Sequence, residues 1–271
     1  MKSSSPSSSS EVSSAVGAST TPSHRWPYPS IAAHRGGGAL APENTLEAID
    51  TGARLGHQMI EFDARCGVDD IVFLLHDDQV ERTTNGSGDA STLPWHRLQT
   101  LDAGSWFDAR FAGARIPTLG DVADRCLALG LHANVEIKPG PGLERHTGQV
   151  VAREVLRYWK GSPAAPLLSS FSYEALAAAA EVAPQLPRGM LCGSWSDPWR
   201  EQTQALSCVS LHIRHTELTQ ARVAEVKAAG LCLLAYTVND PARAATLLEW
   251  GVDTICTDRI DLIGPRFATP G

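Results

Sequence analysis

Residues 219–257 read TQARVAEVKAAGLCLLAYTVNDPARAATLLEWGVDTICT, which divides into two consecutive helix–strand units. Apolar residues recur first at helical spacing and then in short continuous runs. Gly230 and Gly251 each stand just past a helical segment, where glycine readily adopts the left-handed conformation that ends a helix. This order is typical of βα units around a parallel sheet. The predicted helices are 219–229 and 241–250, and the predicted strands are 231–238 and 254–257.

The same alternation extends towards the N-terminus and gives eight predicted strands in total. Repeated βα units over a segment of about 250 residues predict one α/β domain, a TIM (β/α)8 barrel formed by residues 28–271. At the start of the first helix, Asn44 and Glu47 fit a capping box. The other strands are 31–34, 59–63, 133–138, 166–170, 188–192 and 209–213, and the further helices are 44–55, 119–129 and 173–182.

Residues 1–27 differ from the rest of the chain because they are mostly Ser, Thr, Pro and Gly. Such a segment cannot build a core, so we expect a disordered tail. It lacks the apolar run of a secretory signal, and no segment approaches the length of about 20 apolar residues that a transmembrane span requires. The six cysteines are scattered without a C-x-x-C pair, which favours buried free thiols over disulfides or a metal site. These features predict a cytoplasmic protein.

A further apolar run at 71–75 follows the second strand after a link of only four residues, 67–70. This link is too short for a crossover helix, so the run is predicted to return as an antiparallel hairpin. A turn at the middle of the link would set Leu74 opposite Asp63 and would bring His76 back to the acidic residues of the second strand.

Residues 79–117 follow the hairpin and contain no clear repeat pattern. We expect them to form a small insertion, either a loop or a lid over one end of the barrel.

Acidic residues occupy alternate positions near the ends of two predicted strands. Because alternate strand residues share a face, Glu61 and Asp63 project together, as do Glu136 and Lys138. Taken alone, Glu61 and Asp63 could be a polar strand end. Three converging carboxylates, however, repel one another unless a cation neutralises them, and carboxylate oxygens suit Ca²⁺ or Mg²⁺ better than Zn²⁺. The sequence therefore predicts one divalent cation, Ca²⁺ or Mg²⁺, on Glu61, Asp63 and Glu136.

Two histidines and two cations stand beside this acidic cluster in the predicted fold. A single histidine is more often structural than catalytic, but His34 and His76 both follow strand ends near the carboxylates. Cleavage of a phosphodiester needs one group to remove a proton and another to protonate the leaving alkoxide, and imidazole can do both. Arg35 and Lys138 are candidates for binding the phosphate oxygens, with a salt bridge as the alternative role of Arg35.

Five other residues are candidates for supporting roles around this site. Glu43 and Asn44 open the first helix, where Asn44 could serve only as its cap and Glu43 could orient Arg35 or His34. The aromatic side chains that follow strands could line the substrate pocket, although packing at the barrel rim is the alternative. They are Phe171, Trp195 and Tyr236.

The ordered motifs of this chain resemble those of the glycerophosphodiester phosphodiesterases, and the resemblance is closest to the bacterial cytoplasmic branch. It extends over about residues 31–263. The motifs that carry it are His34-Arg35-Gly36, Pro42-Glu43-Asn44-Thr45, Glu61-Phe62-Asp63, Leu75-His76-Asp77, Val135-Glu136-Ile137-Lys138 and Tyr236-Thr237-Val238-Asn239.

The resemblance implies a TIM barrel that hydrolyses glycerophosphodiesters to sn-glycerol 3-phosphate and an alcohol. It implies a metal on Glu61, Asp63 and Glu136, an acid/base pair of His34 and His76, and phosphate contacts from Arg35 and Lys138. Tyr236 departs from the tryptophan that related sequences often have, which predicts altered substrate preference rather than loss of activity.

Three alternative functions remain open from the sequence: a lysophospholipase D, a phospholipase C-like enzyme, and a noncatalytic module that binds glycerol phosphate. The first two would require an exposed apolar rim, and the third would be indicated by loss of a histidine or carboxylate of the site. The net charge of −7 without a Lys/Arg cluster argues against a nucleic-acid partner and leaves a small glycerophosphodiester as the expected ligand.

Overall fold

A computed structural model of the protein describes Met1 and residues 26–267, and eight of its strands close into a parallel barrel. Pairing of Ala33 with Ile60 joins the first two of these strands and closes the ring. The TIM barrel predicted from the sequence is confirmed, and every predicted strand is present. The strands are β1 (Ile31–Ala33), β2 (Met59–Cys66), β3 (Val72–Leu74), β4 (His132–Ile137), β5 (Leu167–Ser170), β6 (Arg188–Cys192), β7 (Ser210–Arg214), β8 (Cys232–Tyr236) and β9 (Thr254–Thr257).

Helices surround the barrel and pack against it through one large apolar cluster. Three of the helices, α2, α4 and α6, were not identified from the sequence. Each lacks a side-chain cap, because Pro94, Leu143 and Pro198 occupy the respective N-cap positions, so the sequence signal that marks a helix start is absent. The helices are α1 (Leu46–Arg54), α2 (Trp95–Leu98), α3 (Leu119–Leu129), α4 (Glu144–Tyr158), α5 (Tyr173–Val182), α6 (Trp199–Ala205), α7 (Gln220–Ala228) and α8 (Pro241–Glu249).

The predicted capping box of Asn44 and Glu47 at the start of α1 is wrong. Thr45 is the N-cap, and its hydroxyl accepts a hydrogen bond of 3.1 Å from the backbone N–H of Ala48. Asn44 instead adopts a left-handed backbone conformation with φ of 59°. Asparagine tolerates this conformation, which frees its amide to reach Asp63.

The hairpin of β2 and β3 forms as predicted, but its register is shifted by one residue. Leu74 pairs with Ala64 and not with Asp63. The loop between Gly67 and Ile71 has three residues, 68–70, so the turn centres on Asp69 and not at the middle of the four-residue link. The Gly67 N–H donates a hydrogen bond of 3.0 Å to the Ile71 carbonyl. Asp70 closes this loop in the left-handed region, with φ of 61°.

Residues 79–117 form the insertion predicted after the hairpin, and they build a small apolar core of their own with β3. The largest member of this cluster is Phe73, which stacks on Trp95 with ring centroids 6.3 Å apart. The insertion therefore packs against β3 through buried apolar side chains. The buried residues of the cluster are Phe73, Leu75, Val80, Ala90, Leu98, Ala103 and Ile116.

The predicted disordered tail, residues 1–27, lies for the most part outside the described residues. Of the described part, Trp26 packs edge-on against Tyr28, with ring centroids 4.8 Å apart, and its indole N–H donates to the Thr254 hydroxyl at 2.9 Å. All six cysteines are buried and none of them forms a disulfide, as predicted. Within residues 26–267, no helix combines the length and the apolar character that a bilayer crossing requires.

Candidate active site

Three carboxylates from β2 and β4 meet at one site. Parallel pairing sets Asp63 beside Glu136, while Glu61 lies two residues before Asp63 on the same face. One oxygen of each carboxylate lies within 4.8 Å of the other two, and all three residues are buried. The structure thus brings together the three residues predicted as metal ligands.

Burial and mutual repulsion make this cluster unfavourable when it is fully ionised. Burial, followed by the charge of Asp63, raises the pKa of Glu61 to about 8 and that of Glu136 to about 7. Burial opposes ionisation of Asp63 as well, but Arg35 and Lys138 outweigh it and hold the pKa of Asp63 below its usual value. The neighbouring cations therefore favour ionisation of Asp63, but they do not outweigh the burial of Glu61 and Glu136.

Asn44 fixes the orientation of Asp63 with two hydrogen bonds. Its side-chain N–H donates to the Asp63 carboxylate at 2.8 Å, and its carbonyl oxygen accepts from the Asp63 backbone N–H at 3.1 Å. Sequence reasoning favoured a structural role for Asn44, and the structure places that role within the acidic cluster.

His34 follows β1 and is held by a carboxylate from the last strand of the barrel. Its Nδ1 lies 2.6 Å from Asp258, and its Nε2 lies 3.8 Å from Glu61. The amide of Asn239 orients Asp258, because it donates to the Asp258 carboxylate at 2.9 Å and accepts from the Asp258 backbone at 2.8 Å. Burial lowers the pKa of His34, but the bond to Asp258 and the charge of Glu61 leave it above its usual value.

His76 follows β3 and has the same kind of support from its chain neighbour. Its Nδ1 lies 2.6 Å from the Asp77 carboxylate. Burial is the largest influence on His76 and leaves its pKa below the usual value. In both histidines the carboxylate engages Nδ1, which leaves Nε2 as the nitrogen available for proton transfer.

The two predicted phosphate-binding cations border the carboxylates. Arg35 donates to Glu43 at 2.7 Å, so the salt bridge considered as its alternative role is present, and its Nε lies 3.5 Å from Asp63. Lys138 lies 3.1 Å from Glu136 and 3.8 Å from Asp63. Glu43 therefore contacts Arg35, one of the two residues that it was predicted to orient.

A cavity of about 740 Å³ opens beside this cluster at the carboxyl ends of the strands. Its wall includes His76, Glu136, Lys138 and the half-exposed ring of Phe171. A small cavity of about 30 Å³ lies below it and includes His34, Glu61 and Tyr236 in its lining, while Glu136 and Phe171 border both. The volumes suit a small ligand above and about one water molecule below.

The aromatic pocket candidates divide between this cavity and the barrel rim. Phe171 contacts Tyr236 edge-on, with ring centroids 5.8 Å apart, and the Tyr236 hydroxyl donates to the Cys192 carbonyl at 2.7 Å. Trp195 instead packs against Trp199, 5.4 Å between ring centroids, and lines neither cavity. Rim packing, the alternative considered for these residues, describes the position of Trp195.

Two of the histidines predicted to be structural make contacts outside the carboxylate cluster, and a third is fully buried. His57 contacts the Ile260 carbonyl at 3.1 Å, and His146 pairs with Asp70 at 2.7 Å on the surface. His212 is fully buried in the small cavity, where burial lowers its pKa to about 3 and keeps it neutral. The other histidines predicted to be structural are His96, His132 and His215.

Sequence reasoning assigned no role to Asp258, Asn239, Asp77 or Arg82. Asp77 directly follows a candidate histidine, which is a usable signal. Asp258 and Asn239 both follow predicted strands, but the contact of Asp258 with His34 depends on closure of the barrel across 224 positions.

Comparison with known proteins agrees with this geometry. The model of the glycerophosphoryl diester phosphodiesterase family matches residues 34–262. The chain is 35% identical to YhdW of Bacillus subtilis over 86% of its own length and 96% of the relative. It is 31% identical to the glycerophosphodiester phosphodiesterase of the same organism, over 85% of this chain and 83% of that protein.

A solved structure of an Oleispira antarctica phosphodiesterase in complex with the product sn-glycerol-3-phosphate superposes with a TM-score of 0.80. The two chains are 34% identical, and the match covers 85% of this chain and 93% of the other. The family resemblance predicted from the motifs is confirmed. The chain belongs to the glycerophosphoryl diester phosphodiesterase family and is an enzyme of that class.

Proposed function

We propose that this enzyme hydrolyses glycerophosphodiesters to sn-glycerol 3-phosphate and an alcohol, with a divalent cation on Glu61, Asp63 and Glu136 and with His34 and His76 as the acid/base pair. The observation that carries the proposal is the presence of two imidazoles, each held at Nδ1 by a carboxylate at 2.6 Å, beside three carboxylates within 4.8 Å of one another. The product bound to the Oleispira relative supports the substrate class.

The three carboxylates fit a hard divalent cation. Among the described residues, Oε1 of Glu61 is buried without a hydrogen-bond partner, which is costly unless something else occupies that side of the carboxylate. All three ligands are oxygens, which favours Ca²⁺ or Mg²⁺ over Zn²⁺. When bound, the cation would draw electron density from the phosphoryl group and restore the ionised state of Glu61 and Glu136.

Proton transfer falls to the two histidines. Hydrolysis breaks the bond between phosphorus and the leaving oxygen and forms a bond to an attacking oxygen. One imidazole takes a proton from the attacking oxygen nucleophile, and the other gives a proton to the leaving alkoxide. Water supplies the oxygen that is added to phosphorus over the complete reaction. Asp258 and Asp77 fix the tautomer and the ring orientation of His34 and His76, respectively.

Arg35 and Lys138 complete the proposed phosphate site. Within the described part of the chain, Nε of Arg35 is buried and makes no hydrogen bond, so one donor remains for a nonbridging phosphate oxygen. Lys138 adds a second positive charge at the wall of the larger cavity. The alcohol would occupy that cavity against Phe171, whose ring lies 5.9 Å from the Lys138 ammonium.

The test is an assay of the purified protein coupled to detection of glycerol 3-phosphate over a panel of glycerophosphodiesters. EDTA should abolish turnover, and added Ca²⁺ or Mg²⁺ should restore it. Full turnover of the metal-free protein would contradict the metal role. Release of phosphocholine in place of glycerol 3-phosphate would contradict the proposed bond cleavage.

A further inference from the structure

Arg82 lies in the first turn of the insertion, six residues after His76 in the chain. The backbone of this turn is held on both sides of Arg82. The Val80 N–H donates to the Gly88 carbonyl at 3.1 Å, and the Thr84 hydroxyl donates to the Val80 carbonyl at 2.7 Å. Val80 is itself fully buried in the core of the insertion. Hydrogen bonds and the burial of Val80 therefore hold the backbone beside Arg82 in place.

The guanidinium of Arg82 contacts two carboxylates of the barrel at once. It donates two hydrogen bonds to Glu43, both of 2.8 Å. It also donates to Asp77 through Nη2 at 3.0 Å and through Nε. Four donors of one planar group are thus divided between two acidic side chains that lie 34 positions apart in sequence, at 43 and 77.

Each of these carboxylates also holds a group of the proposed reaction. Glu43 accepts a hydrogen bond of 2.7 Å from Arg35, and Asp77 lies 2.6 Å from Nδ1 of His76. The contacts therefore form a chain in which basic and acidic side chains alternate, in the order Arg35, Glu43, Arg82, Asp77 and His76. Among residues 26–267, Arg82 alone contacts both Glu43 and Asp77.

We propose that Arg82 is a positioning residue that couples the phosphate-binding arginine to one imidazole of the acid/base pair, so that both face the same substrate. This inference rests on the proposed function of Arg35 and His76. The insertion thereby acts on catalysis through the contacts of Arg82 with Glu43 and Asp77. The hydrogen bonds from Arg82 are also the main cause that holds the pKa of Asp77 well below its usual value, which keeps this carboxylate ionised beside His76.

A purely structural role and a positioning role of Arg82 predict different effects on the melting temperature and on kcat. The Arg82 side chain is 43% exposed, and exposed ion pairs contribute little to stability. Loss of Arg82 should therefore leave the melting temperature almost unchanged. Loss of the orientation of His76 and Arg35 should lower kcat, because geometry matters most in the transition state.

The test is steady-state kinetics of the metal-loaded Arg82→Ala and Arg82→Lys variants on a glycerophosphodiester. We expect kcat of Arg82→Ala to fall by about 10- to 100-fold with KM changed less than about threefold. Arg82→Lys should recover only part of kcat, because an ammonium cannot donate paired hydrogen bonds to two carboxylates as the planar guanidinium does. The matched control is Arg115→Ala, which removes an exposed arginine of the same insertion that donates to the Thr100 carbonyl and should keep wild-type kcat.

A double-mutant cycle with Asp77→Asn separates positioning from direct contact with the substrate. Positioning predicts that the double variant is hardly slower than the single variants, because both remove one link of the same chain of contacts. Additive losses, or an unchanged kcat in Arg82→Ala, would overturn the inference. If Arg82→Ala does not fold, Arg82→Gln decides by the same criteria.

The wild-type enzyme separates this inference from the proposed function. A wild-type protein without phosphodiesterase activity in the presence of metal would contradict both. An active wild type whose kcat is indifferent to Arg82 would contradict the positioning role alone.

Discussion

The two ends of the barrel each carry a cavity, and the two cavities differ in chemistry far more than in size. The cavity at the carboxyl ends of the strands has about 740 Å³ and is bordered by imidazole, carboxylate and ammonium groups. The cavity at the amino ends has about 540 Å³ and is lined by Trp26, Tyr28 and His132 among prolines and small apolar residues. Among its described lining residues there is no carboxylate.

This difference follows from the architecture of the barrel. In a parallel barrel all loops that follow strands open at one end, so His34 and Lys138 meet there although they are distant in sequence. The antiparallel return of β3 brings His76 back to the same end. The opposite end receives the segments that precede strands, which here contribute aromatic packing. Cavity volume therefore does not distinguish the reacting end, whereas the density of titratable groups does. Substitutions at the two ends should accordingly separate activity from stability.

The largest expected effect is at the carboxyl end. His34→Ala or His76→Ala should lower turnover by about 10²–10⁴-fold, because each removes one of the two proposed proton-transfer groups. Both histidines are partly exposed at strand ends, so the melting temperature should remain near that of the wild type. Turnover is measured by release of glycerol 3-phosphate, and melting by circular dichroism.

The matched control is His146→Gln, which removes a histidine of a histidine–aspartate pair located outside the site. It should keep wild-type turnover. Wild-type turnover in both His34→Ala and His76→Ala would contradict the assignment of the acid/base pair.

A smaller effect is expected from the carboxylate that supports His34. Asp258→Asn should lower kcat by about 10- to 100-fold, because the amide can hold the wrong tautomer of the imidazole while the ring itself remains. The control is Asp240→Asn, which changes the N-cap of α8 to another good capping residue and should leave kcat unchanged. Equal kcat of Asp258→Asn and the wild type would mean that His34 does not depend on this contact.

The sequence alone predicts most of the barrel and the composition of its site. Apolar periodicity and glycine stops are local signals, and they give the bounds of Leu119–Leu129, Arg188–Cys192 and Thr254–Thr257 as the structure has them. Strand alternation, also local, predicts that Glu61 and Asp63 share a face.

The features that sequence reasoning missed depend on backbone dihedrals or on closure of the barrel. The hairpin register depends on the left-handed conformation of Asp70, which no periodicity reveals. The role of Asn44 also depends on a left-handed backbone conformation. In the sequence, an asparagine that caps α1 cannot be distinguished from one that binds Asp63. Asp258 reaches His34 only because β9 pairs with β1. Long-range contacts of single polar side chains therefore have to be read from the fold.

The smallest expected effect lies at the amino end of the barrel. Tyr28→Phe removes a hydroxyl that donates to the Ala165 carbonyl at 3.0 Å, and it leaves the buried ring in place. The lost hydrogen bond should lower the free energy of unfolding by about 1 kcal/mol. Turnover should not change, because the strands separate this residue from the carboxylates. Urea denaturation and the phosphodiesterase assay on the same preparation check both values. A loss of turnover with unchanged stability would mean that the two ends are coupled, and the comparison from which these predictions follow would have to be abandoned.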